Sequence, residues 1–140
     1  MVPDPADGPL ALVHSFASTF SDDPGADPLG TREDAAAWLH AAGLLPAEAG
    51  LTNSEHAALL RTREALRDVL AAHADGRKDA AAAERLTRAL AEGRLVVIVD
   101  TASTVRLASA ARASYPGLVA TIAIAIAEAA AAGTWPALTA

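Results

Sequence analysis

The stretch "RTREALR" (residues 61–67) holds the side chains best suited to chemistry. A guanidinium presents a planar fork of donors, so an arginine held in place can grip a carboxylate or phosphate through two parallel bonds. Arg61, Arg63 and Arg67 share one predicted helix, with Arg63 and Arg67 at i, i+4 spacing. At ~100° per residue Arg63 stands about 40° from Leu59, on the border of that helix's apolar stripe. A guanidinium there must be paired, because an uncompensated buried charge is very costly. Two arrangements satisfy it. Arg63 either closes on an internal carboxylate, such as Asp22, Asp23 or Asp27, or it faces a pocket and holds a small anionic ligand. In the second case Ser18 and His14 are the expected ligand-binding neighbours, with Trp38 as a wall.

Most other chemistry is excluded. The chain has no cysteine, which removes disulfides, thiolate zinc sites and cysteine nucleophiles. His14, His40, His56 and His73 show neither HxxxH nor HExxH spacing, and no acid completes a zinc triad, so no metal site is expected. His73 falls near the centre of the stripe formed by Leu59, Leu66 and Leu70, and reads as a core or edge histidine with one hydrogen-bond partner. His40 and His56 read as surface positions. The acids Asp22, Asp23 and Asp27 lack the alternate spacing and closing Glu of a calcium loop. Ser15, Ser18 and Thr19 lie in no GxSxG elbow or SxxK, and there is no P-loop or GxGxxG. No catalytic residue is expected, and the chain reads as not an enzyme.

The elements that must position these residues follow from the pattern of apolar positions and breakers. Leu12, Phe16 and Phe20 at i, i+4 and i+8 predict a first helix from Leu10, after an acidic, proline-bearing leader. "SDDPGADPLG" is a loop. Thr31 then caps "REDAAAWLHAA", which Gly43 stops. "LTNSEHAALLRTREALRDVLAAHADG" is the clearest helix, with capping-box spacing from Thr52 to Glu55 and a stop at Gly76. "KDAAAAERLTRALAEG" gives a fourth, stopped at Gly93. "RLVVIV" and "TVRLASA", joined across Asp100 to Ser103, predict a β-hairpin. "VATIAIAIA" alternates like a strand, yet its alanine content, its length and the Leu118, Ile122, Ile126 spacing favour a helix from Pro116. The fold class is α+β, a helix-dominated single domain with a small antiparallel hairpin.

Charge and hydropathy narrow the partners. A net charge of −6 opposes non-specific binding to nucleic acid, whose phosphates call for a basic footprint. The run 118–133 is apolar apart from Glu128, but it is shorter than the ~20 residues of a spanning helix and mostly alanine. It reads as a buried helix, so no membrane is expected. The leader lacks the basic and apolar regions of a signal peptide, and a cysteine-free chain suits the cytoplasm.

In order and spacing, "PLALVHSFAST", "DPLGTREDAAAWLHAAGLL", "RTREALRDVLAAH" and "AAGTW" resemble the ABATE domain. That domain occurs at the N-terminus of bacterial proteins that end in a CGNR zinc finger and are described as stress-induced transcription regulators. The resemblance implies a flexible leader at 1–9, the ABATE-like domain at 10–135, and at 136–140 the start of a linker to a missing C-terminal zinc finger. The end of the chain then reads as a cut at a domain junction or a natural loss of the finger. Zinc is expected only in that finger, with no cofactor in this chain, and nucleic acid would be bound only through the missing part. The family commonly has Asn-Thr where this chain has Ser18-Thr19. The implied function is a non-catalytic regulatory domain, ligand-sensing or assembly. The alternative is a homodimerisation domain without a small-molecule ligand, using the apolar helix from Leu118 to Ala132.

Overall fold

Five helices and one β-hairpin make up the described residues, which in this computed structural model are 8–19, 26–110 and 114–133. In chain order they are α1 (Gly8–Ala17), α2 (Arg32–Ala41), α3 (Asn53–Ala74), α4 (Ala80–Leu90), β1 (Leu95–Val99), β2 (Val105–Ser109) and α5 (Tyr115–Ala131). The helix-dominated α+β class is what the sequence pattern predicts. The first helix starts at Gly8 rather than Leu10. Residues 1–7, Phe20, Asp22, Asp23, Trp135 and the 136–140 tail lie outside the described residues.

The ends of the helices follow from capping chemistry. Thr31 accepts the Asp34 N–H at 3.0 Å, and Glu33 and Asp34 place negative charge in the first turn of α2. Gly43, at φ +73°, takes the left-handed position that ends α2. The Leu44 N–H then reaches the Leu39 carbonyl at 2.9 Å, and Gly43 reaches His40 at 3.1 Å. Thr52 and Glu55 satisfy each other's backbone at the start of α3. In α5 the alternating apolar pattern resolves as a helix with Pro116 in its first turn. The intervening alanines favour helix, and Leu118, Val119 and Ile122 are all buried.

The core collects Phe16 and Val13 from α1, Leu39 from α2, Leu59, Leu66 and Leu70 from α3, and Leu118 and Ile122 from α5. Helix α4 folds back along α3, where Arg85 Nη2 donates to Asp68 Oδ2 at 2.8 Å. This return explains a departure at His73, which is exposed rather than set in the apolar stripe. The last turn of α3 instead buries Ala72, on the side of Asp68 that α4 covers. Leu118, Val119 and Ile122 of α5 are taken up inside the chain, where the helix meets α1, β2 and α4, while Ile124 and Ile126 are half-buried. No helix among the described residues is long and apolar enough to cross a membrane.

The hairpin hangs on α5 at one end. Arg94 N–H donates to the Pro116 carbonyl at 3.2 Å, and the Ser109 hydroxyl donates to Gly117 at 3.2 Å. Gly93, just before β1, makes this approach work. A Cβ there would stand 2.9 Å from the Ala120 nitrogen and 3.0 Å from its Cα. Those are helix backbone atoms that cannot step aside. Gly93→Ala is therefore expected to destabilise by ~1–3 kcal/mol, the usual cost of overpacking. Urea unfolding should give a lower midpoint at an unchanged m-value; an unchanged midpoint would mean the hairpin swings away freely.

Candidate functional site

Arg63 points into the protein from the middle of α3 and is 3% exposed. Its Nη1 donates to Asp27 Oδ1 at 2.7 Å and its Nη2 to Oδ2 at 2.9 Å, a two-bond fork with the carboxylate. Nη1 also reaches the Thr19 hydroxyl at 3.3 Å, and that hydroxyl donates to the Phe16 carbonyl at 2.7 Å. Glu64 Oε1 stands 3.5 Å from Nη2 on the outer side. Helix α3 thus binds the end of α1 and the loop before α2 through one guanidinium.

The Asp27 carboxylate is as firmly held from its own side. Oδ1 accepts the Leu29 N–H at 2.9 Å, closing a local turn. The Arg63 fork holds the Asp27 carboxyl below the usual carboxylate range; partial burial opposes this shift and the Leu29 N–H adds to it. A carboxyl depressed in the native state contributes stability above its unfolded value, near 3.8, and loses it as pH falls through the native value. Wild type should therefore lose stability from about pH 4 downward more steeply than Asp27→Asn. Urea midpoints taken between pH 6 and pH 2 test this, and equal slopes would remove Asp27 from the acid response.

The clefts seen among the described residues do not gather the other expected ligand-binding residues around Arg63. His14 and Ser18 are exposed at the end of α1. Trp38 is buried against Phe16, with ring centroids 6.3 Å apart, and its Nε1 has no hydrogen-bond partner among the described residues. Of the three loop acids, Asp27 is the one seen on Arg63; Asp22 and Asp23 lie outside the described residues. Thr19, whose hydroxyl carries no motif in the sequence, is the second contact.

Two histidines that read as surface positions are instead tethers. His56 Nε2 donates to the Leu29 carbonyl at 2.8 Å, and His40 Nε2 to the Ala49 carbonyl at 2.6 Å. Both are half-buried. Their partners are main-chain carbonyls with no side-chain signature, so no motif in the sequence marks them. Asp27, Leu29 and His56 together fix the loop that carries Arg63's partner.

Two open clefts are found among the described residues. One, of about 500 Å³ between α3 and α4, is lined by Arg61, Arg85, Arg88, Glu64 and Glu92 among others. Two of its cations are already matched, Arg85 with Asp68 and Arg88 with Glu84. The other, of about 570 Å³, lies between Gly43–Pro46, β2 and Thr121. Neither is lined by Arg63, Ser18, His14 or Trp38. Burial pushes the Tyr115 phenol up to about 12, with Thr62 a hydrogen-bonding neighbour that pulls the other way. It stays neutral at ordinary pH. Among the described residues no three His, Asp or Glu side chains are grouped to hold a metal ion.

The arrangement is a tie between elements, with its charges matched from within. Comparison with known proteins adds the family. The ABATE model, described as "Putative stress-induced transcription regulator", matches residues 9–133. No curated protein and no solved structure matches the chain. The matched span runs from α1 past the end of α5 and takes in the Arg63–Asp27 tie, and on that match the chain belongs to the ABATE family.

Proposed function

We propose that the domain is a non-catalytic regulatory module of a transcription regulator and works by protein–protein assembly rather than by an Arg63-centred grip on a ligand. The observation that carries this reading is the β-hairpin. Leu95, Val97, Val99, Val105 and Leu107 share one face of it by register and are each 40–63% exposed, an apolar patch on the order of 400 Å², within the range of the largest patch on a typical monomer. Arg63, by contrast, already spends both terminal nitrogens on Asp27, so an anion would have to displace a bidentate carboxylate before it could bind there. Any contact with DNA is assigned to another part of such a regulator, in keeping with the acidic net charge of −6.

Two experiments separate assembly from ligand sensing. A thermal-shift screen against a metabolite panel should give no hit, whereas a ligand at 100 times its Kd would stabilise by ~2.7 kcal/mol. In cells carrying the protein and a reporter for its promoter, Val97→Lys with Leu107→Lys should abolish regulation while circular dichroism stays native. An anionic hit lost in Arg63→Lys, with regulation intact in the hairpin variant, would overturn the proposal.

A further inference from the structure

Resting on the assembly reading, we infer that the partner is a second copy of this chain, added antiparallel along the open edge of β1 to make a four-stranded sheet. The hydrogen-bond pattern of the hairpin decides which groups face outward. Asp100 N–H donates to the Thr104 carbonyl, and Ala110 N–H donates to the Arg94 carbonyl. With Val97 opposite Leu107 in the register, the even-numbered residues of β1 therefore turn their backbone toward β2. Leu95, Val97 and Val99 turn theirs away from it, and among the described residues the sheet ends there, with only two strands. The β2 side is the one that faces the rest of the chain, with α5 against it and a cleft between it and Gly43–Pro46. A two-stranded ribbon is marginal by itself, and further strands are the usual remedy.

A two-fold axis at Val97 satisfies this edge with its own copy. Val97 then faces Val97 of the partner subunit, and Leu95 faces Val99 of the partner subunit. Outward backbone meets outward backbone, so each such pair exchanges both of its N–H···O bonds. The same register sets Arg94 opposite Asp100 of the partner subunit, and Asp100 opposite Arg94 of the partner subunit, at both ends of the ladder. These are non-hydrogen-bonded positions, where side chains approach closest, so opposite charges there add to pairing. Both residues are exposed, and neither makes a salt bridge among the described residues. Asp100 uses Oδ1 for the turn, accepting the N–H groups of Ala102 and Thr104. Self-pairing of β2 about Leu107 would instead set Arg106 opposite Ala108, with no charge matched.

The apolar patch is smaller than the ~800 Å² per partner of a standard interface. Backbone bonds and ion pairs must supply part of the affinity, which places the dimer in the micromolar range and makes it sensitive to salt. This is the strength expected of a regulated association.

Sedimentation of the whole chain from about 1 to 200 µM tests the inference, with a monomer–dimer equilibrium that weakens as salt rises as the expected result. Val97→Pro removes an outward N–H and leaves the ladder to β2 intact, so it should stay folded and become monomeric. Leu107→Lys, on the same apolar face but the other strand, should still dimerise. Because the chain has no cysteine, Val97→Cys gives a single thiol on the two-fold axis. Facing residues of a hydrogen-bonded pair stand ~5.5 Å apart, within disulfide range, so mild oxidation should yield a covalent dimer, and Val105→Cys should not. A wild type monomeric throughout would overturn the second-copy inference and leave assembly with another protein standing. A dimer that survives Val97→Pro but not Leu107→Lys would overturn the β1 register in favour of packing face to face.

Discussion

Arg63→Ala should cost the domain about 3 kcal/mol, the lower end of what breaking a buried ion pair costs when one partner stays behind. The lower end applies because the Asp27 side chain keeps 12% exposure, so water can reach the abandoned carboxylate. For a chain of this size that loss corresponds to a melting temperature lower by on the order of 10 °C. The loss has two parts, the fork itself and the carboxylate left unmatched, and they can be separated. Arg63→Met with Asp27→Asn removes both charges while keeping an acceptor for the Leu29 N–H. The double variant should lose less than the sum of the single ones, because the second change removes the charge that the first exposed. Arg63→Lys keeps the charge but gives up the two-bond geometry and should fall between wild type and Arg63→Ala. Urea unfolding at pH 7 measures all of these. A loss under about 1 kcal/mol in Arg63→Ala, or strict additivity in the double variant, would show that the pair does not hold the fold and would return Arg63 to the ligand reading.

The sequence made the elements legible because each is punctuated locally. Thr31, Gly43 and the Thr52–Glu55 box act on residues within four positions of themselves, and each does in the structure what its spacing implies. Arg63's need for a partner was equally legible, from its angle to Leu59 alone. Its choice among the loop acids was not, since Asp27 and Arg63 are 36 positions apart and three carboxylates lie within one loop. His73 shows the same limit from the other side. The helical angle places it correctly on its own helix, but exposure depends on where α4 returns, and a single helix does not encode that. The tethers at His40 and His56 bond to carbonyls, which every residue possesses, so no residue type announces them. The hairpin was read as two strands, while the solvent exposure of its apolar face depends on α5 covering only one end.

Phe16→Ala should come close to unfolding the domain. Phe16 is fully buried, and its ring packs on Trp38 at 6.3 Å with the planes tilted by 44°. Truncation of a buried phenylalanine typically costs ~3–5 kcal/mol, against a total stability of about 5–15 kcal/mol for a domain. The upper half of the range is expected here. The core that would have to close the cavity includes Ala17, Ala35 and Ala42, side chains with no rotamers to rearrange, and the chain has few other aromatics. Phe16→Leu keeps most of the volume and should cost ~1.5 kcal/mol or less. The site should feel the loss too. The Phe16 carbonyl holds the Thr19 hydroxyl, and that hydroxyl receives Arg63 Nη1. If packing at Phe16 positions the end of α1 for Arg63, the two residues form one network and their effects cannot add. A cycle of Phe16→Leu with Arg63→Lys, mild enough for every variant to fold, should give a coupling of at least 0.5 kcal/mol. Additive losses would mean that the core and the ion pair act independently, and that Arg63 works through Asp27 and the loop before α2 rather than through the end of α1.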